Sequence, residues 1–234
     1  MVLFGLSIAP GIAISLFIIF KDSYNKEPRR HLLICFVLGV FSTLLALGIE
    51  MLGMRILSAS MAESLLSTAL EAFLVVAFVE EWSKYLMVKQ YAFRKPEFDE
   101  PFDGIVYSVM VSMGFATLEN ILYVMQHGMG TAILRMFLSV PAHACFGIVM
   151  GYYLGKARFT EGREKTYIRL GLLLATLFHG FYDFFLFLQD KAFVPEPISD
   201  LLLFGGAIVS YIIAIRFSRQ AIRDHLETSR RLHT

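Results

Sequence analysis

Charge is what this sequence has least of. Lys, Arg, Asp and Glu make up 18% of its 234 residues, against about 25% in soluble domains. Hydrophobic residues make up 56%, and mean hydropathy is +0.62. That balance describes a polytopic membrane protein. The net charge of +1 argues against a nucleic-acid partner, because neutralising phosphates needs a basic surface. Cysteine is almost absent. Cys35 and Cys145 fall in separate apolar stretches and read as small buried hydrophobes, so neither a disulfide nor a thiolate metal site is expected. There is no internal repeat, no low-complexity segment and no His-Glu-x-x-His motif. The longest polar connection, Tyr91 to Phe102, is too short to fold alone. The apolar start, Met1 to Phe20, lacks a basic n-region and a cleavage site, and reads as a retained span.

What is there is a series of apolar windows of about 20 residues. They lie near residues 2–20, 32–56, 67–89, 104–126, 132–155, 168–189 and 200–217, which gives about seven spans in one all-α integral membrane domain covering residues 1–234. Basic residues mark alternate connections: Lys21, Lys26, Arg29 and Arg30; Lys89, Arg94 and Lys95; Lys156 to Arg169; and a tail with Arg216, Arg219, Arg223, Arg230 and Arg231. The connections between them carry only Lys191, with Arg55 and Arg135 near helix ends. The positive-inside rule then puts the N-terminus outside and the C-terminus in the cytoplasm of a plasma membrane. Pro101 and Asp103 predict a helix start, and Pro195 and Pro197 a stiff outer loop.

The informative residues are the polar ones inside these spans. Glu80, Glu81 and Lys84 follow an apolar run without a turn signal, and each intramembrane charge costs about 2.5–3.5 kcal/mol on insertion scales. Glu80 and Lys84 are spaced as a helical ion pair, which leaves Glu81 to be explained. The fourth span carries Phe115, Glu119 and Tyr123 on one stripe. The fifth carries Pro141 just before His143, which predicts a kink there. The sixth carries His179 and Asp183 one turn apart, a spacing at which the carboxylate can orient the imidazole. At about 1.5 Å per residue, Glu81, Glu119, His143 and His179 all fall within roughly 6 Å of the midplane. Scattered structural polar groups have no reason to share a depth, whereas one buried site does. Glu50, Glu63 and Glu71 read as solvated, and Phe115 as packing.

Carboxylates, imidazoles and a trapped water suggest hydrolysis. Glu81 is the candidate general base, although periodicity does not distinguish it from Glu80. Two schemes accommodate the rest. In one, Glu119, His143 and His179 bind Zn²⁺; in the other the site is metal-free and the imidazoles stabilise an oxyanion. Intramembrane Glu, His and Asp also build proton-coupled transporters, but the paired broken helices of transporters are missing. A non-catalytic scaffold that binds partner helices is the third reading.

Four pieces occur in order: Glu80-Glu81-Trp82-Ser83-Lys84; Phe115 to Tyr123 with Glu119; Pro141-Ala142-His143-Ala144 leading to Gly151-Tyr152-Tyr153-Leu154-Gly155; and His179-Gly180-Phe181-Tyr182-Asp183. In this they resemble the PrsW-type intramembrane proteases, relatives of the CAAX prenyl endopeptidases and bacteriocin-processing enzymes. The resemblance covers a core at residues 67–189 and implies a CAAX-protease-like helical core. It also implies an endopeptidase acting on a membrane-anchored protein, in bacilli the first cut of an anti-sigma factor on its extracytoplasmic side during envelope stress. It assigns catalytic roles to Glu80 or Glu81 and to His143, with Glu119 and His179 completing the site. The chain departs from the CAAX-processing branch at Glu119, where that branch has histidine.

Overall fold

The computed structural model describes residues 2–189, 191–195 and 198–233, which form a helical bundle with no strand among them. The helices are α1 (Val2–Lys21), α2 (Arg29–Ser60), α3 (Leu65–Leu70), α4 (Phe78–Gln90), α5 (Pro101–His127), α6 (Met129–Phe137), α7 (Ser139–Phe159), α8 (Glu164–Gln189) and α9 (Ile198–His233). Glu71–Ala77, between α3 and α4, is π-helical. Six helical stretches are long and apolar enough to cross a membrane. The remaining expected span, near 67–89, is the composite of α3, the π segment and α4. Pro195 is exposed outside any helix. Pro197 and Asp190 of the same connection lie outside the described residues.

Helix α5 is the axle of the bundle, and its local sequence explains its start and end. Pro101 occupies the first turn, where its missing N–H leaves nothing unsatisfied. Asp103 Oδ2 accepts from the backbone N–H groups of Glu100 (2.7 Å) and Asp99 (2.9 Å), and Gly128, at φ 79°, ends the helix. Small residues let the neighbouring helices approach it closely. A Cβ on Gly104 would lie 2.4 Å from Gly151 O, and one on Gly114 only 1.9 Å from Phe36 O, so α7 and α2 pack backbone to backbone against α5. In lipid this close packing replaces the hydrophobic drive that lipid tails cannot supply. Helix α1 is tied to α5 by Asn120 Nδ2, which donates to Ser7 O at 2.9 Å.

The expected kink before His143 appears as a one-residue interruption, with the i→i−4 bonds Leu138 N–H to Leu134 O (3.0 Å) and Ala142 N–H to Leu138 O (2.9 Å) kept on either side. Leu138 separates α6 from α7, and the Phe137 carbonyl, which Pro141 cannot serve, accepts instead from the Tyr211 hydroxyl at 3.4 Å. The basic tail continues as helix: Ala221, His225 and Ser229 are buried, and His233 Nε2 lies 3.0 Å from Glu100 Oε2. At about 1.5 Å per residue, α9 is far longer than the roughly 30 Å hydrocarbon core.

Candidate active site

The site is built outward from α4. Lys84 follows the two glutamates by three and four residues, so its side chain reaches back to both. Nζ donates to Glu81 Oε1 at 2.8 Å and to Glu80 Oε2 at 3.1 Å. The sequence suggested one pair and a spare carboxylate; one ammonium serves both. It also stands 3.2 Å from His143 Nδ1 and 4.0 Å over the Phe115 ring. Phe115 is therefore more than packing, because its face supports the cation. All three charged groups are buried: Glu81 is 1%, Lys84 3% and Glu80 4% exposed. The π-helical turn just upstream leaves the Phe78 N–H bonded to Phe73 O, five residues back. Such turns often mark functional sites, and nothing in the sequence pattern announces this one.

The imidazoles close the network. His143 Nε2 lies 2.8 Å from Glu119 Oε2, so with Nε2–H donating there, Nδ1 is left to accept from Lys84. Glu119 Oε2 also accepts from Arg135 Nη2 at 2.7 Å, and Arg135 Nε donates to Asn120 Oδ1 at 3.0 Å. The guanidinium lies 4.3 Å from the centre of the Tyr123 ring. His179 has a carboxylate at each nitrogen, Glu81 Oε1 at 2.9 Å from Nδ1 and Asp183 Oδ2 at 3.0 Å from Nε2. Its ring stacks on Phe146 at 4.7 Å. Glu80, Glu81, Glu119, His143, His179 and Asp183, all singled out from sequence, thus form one connected cluster.

Beside this cluster lies a cavity of about 290 Å³, lined among others by Glu80, Glu119, His143, His179 and Asp183. Glu81 does not line it. The lining runs from Phe115 to Tyr123 on α5, from His179 to Phe187 on α8 and from Thr43 to Glu50 on α2, so it extends toward the end of the bundle that carries residues 61–64, Gly128 and 191–195. Three expectations change here. Glu50, read as solvated, lines the cavity with its Oε1 buried and unpartnered. Glu71 is paired with Lys191 at 3.0 Å, with Glu63 at 3.6 Å from the same ammonium. Arg135, read as a helix-end residue, is a wall of the site. The available signal was its place in the same apolar window as Pro141 and His143.

The model of the PrsW family intramembrane metalloproteases matches residues 27–217. The chain belongs to this family. Protease PrsW of Geobacillus kaustophilus (strain HTA426) is 42% identical over 189 residues, 81% of each chain. Protease PrsW of Bacillus subtilis (strain 168) is 39% identical over 180 residues, 76% of this chain and 80% of the relative. Protease PrsW of Clostridioides difficile (strain 630) is 34% identical over 195 residues, 81% of each. No solved structure matches the chain. Family membership makes the molecule a protease of the bacterial cell membrane and sets aside the transporter and scaffold readings.

The family description implies a metal. Glu80, Glu81, His143 and His179 each offer one ligand atom, and these atoms lie within 4.8 Å of one another. Two imidazoles with carboxylates are the donor chemistry of hydrolytic zinc sites, so the residues fit a divalent cation. The converging set differs from the expected Glu119, His143 and His179, because Glu119 reaches His143 from the far side of the ring. Lys84 is directed at three of the four candidate ligand residues, so an ammonium already supplies positive charge where a metal ion would.

Proposed function

We propose that this chain hydrolyses a peptide bond of a membrane-anchored protein with a water activated by Glu80. The observation that carries the choice of base is access. Glu80 lines the cavity, whereas Glu81 is held behind it by Lys84 and His179. In this reading Glu80 takes a proton from the attacking water as the oxygen bonds to the carbonyl carbon. It then returns that proton to the leaving nitrogen as the C–N bond breaks. Glu81 and Lys84 fix its position. Glu119 and Arg135 orient His143, while Asp183 orients His179. The oxyanion falls to Arg135, which lines the same cavity and uses only Nε and Nη2 in its bonds to Asn120 and Glu119. Of the converging donors, Glu81, His143 and His179 would hold a divalent cation, leaving Glu80 as the base; when bound, the ion would supply Lewis-acid polarisation of the carbonyl.

The charge pattern supports an orientation in which the cavity mouth faces the outside. The mouth lies at the end of the bundle with few basic residues, and the opposite end carries the basic connections and tail. This agrees with seven spans, counting the composite 65–90 stretch, and with an extracytoplasmic cut such as that of an anti-sigma factor. Elemental mass spectrometry of purified protein, beside cleavage of a single-span reporter, tests the site. A divalent metal near one per chain that is lost in His143→Ala supports the metal scheme. An active, metal-free preparation leaves Lys84 as the cation at these donors. Full cleavage by a Glu80→Gln, Glu81→Gln double variant would remove the proposal.

A further inference from the structure

Resting on the proteolytic reading above, we propose that Glu50 is a specificity residue that binds a basic side chain of the substrate about three residues from the scissile bond. Four acids line the cavity: Glu50, Glu80, Glu119 and Asp183. Three have donors within the protein. Glu80 has Lys84, Glu119 has Arg135 and His143, and Asp183 has His179. Glu50 has none among the described residues, and its Oε1 is buried. A carboxylate on an apolar helix without a partner is costly, and a substrate cation entering the cavity supplies what the protein does not.

Placement fixes the position of that cation. Thr43, Leu47 and Glu50 stand at i, i+4 and i+7, one stripe of α2, and all three line the cavity. Thr43 is level with the reacting groups, because its Oγ1 donates to Phe115 O at 3.2 Å and the Phe115 ring carries Lys84. Glu50 is therefore about 10 Å further toward the mouth. An extended peptide rises about 3.3 Å per residue, so the carboxylate meets a side chain about three positions from the bond being cut, on the mouth side. Arg135, also in the lining, is already engaged by Glu119 and Asn120, which leaves Glu50 as the acid open to a basic group.

The test uses full-length protein in liposomes and a panel of single-span reporters carrying Lys, Gln or Glu at each of the positions flanking the cut, with products mapped by mass spectrometry. Wild-type protein should prefer Lys over Gln by about ten-fold, the effect of one charge-assisted hydrogen bond, at one position on the mouth side. Glu50→Gln should bring the Lys-to-Gln ratio down to about one, read as the ratio of the two reporters within the same variant. Glu50→Lys should favour the Glu reporter. Equal slowing of Lys and Gln reporters by Glu50→Gln, or no positional preference in the wild type, would overturn the proposal while leaving proteolysis intact. A wild-type protein that cleaves no reporter would overturn proteolysis itself, and this inference with it.

Discussion

Lys84 is the residue on which the buried charges depend. Among the described residues it is the only lysine or arginine paired with Glu80 and Glu81, and removing one partner of a buried ionic group costs about 3–5 kcal/mol because the remaining charge stays buried. Lys84→Met should therefore lower the thermal stability of the detergent-solubilised protein sharply, whereas Glu80→Gln, which leaves Glu81 to pair with Lys84, should lower it far less. A melting curve for each variant checks this. Acids outside the spans make a second test. Burial raises Asp22 to about 6 and Glu27 to about 7. The Tyr107 hydroxyl donates to Glu27, with Asp22, Asp99 and Asp103 also facing it. The folded protein then holds a proton on Glu27 that the unfolded chain releases between the usual 4.5 and about 7. Stability should fall as pH rises through that window. Glu27→Gln should flatten this slope, and an unchanged slope would contradict the assignment.

At the scale of elements, the close helix crossings are the vulnerable joints. A Cβ on Gly151 would stand 2.3 Å from Gly104 O, a backbone atom that cannot swing away. Gly151→Leu should therefore separate α7 from α5 and displace His143, with a cost of at least about 1–3 kcal/mol. Cleavage and melting temperature should fall together in this variant. Gly130→Leu, with nothing near its Cβ, serves as a control that should leave both unchanged. The helices themselves were legible in the sequence, because apolar length and the Pro101 and Asp103 start signals are local. The cluster was legible too, because Glu80, Glu81, Glu119, His143, His179 and Asp183 stand out against lipid. The π-helical turn, the role of Phe115 and the place of Glu50 were not. The turn is a change of hydrogen-bond step within one helix; the other two depend on the rotation of one helix against another, which a hydrophobic period does not encode when both sides of a helix are apolar.

The molecule as a whole holds its catalytic cavity inside an apolar bundle, open toward the end with few basic residues. Orientation has its own test. Cys35 and Cys145 are buried, so single exposed cysteines report with little background. Ser60→Cys should react with a membrane-impermeant maleimide on intact cells and Thr228→Cys only after lysis. The reverse pattern would put the cavity mouth in the cytoplasm. In the proposed reaction Glu80, and not Glu81, moves the proton. The most direct measurement is the single-turnover cleavage rate of a single-span reporter in liposomes by wild type and Glu80→Gln, with reporter binding measured alongside. Glu80→Gln should lose at least about 10²-fold in rate with binding retained. A Glu80→Gln protein that cleaves at the wild-type rate would contradict this role for Glu80.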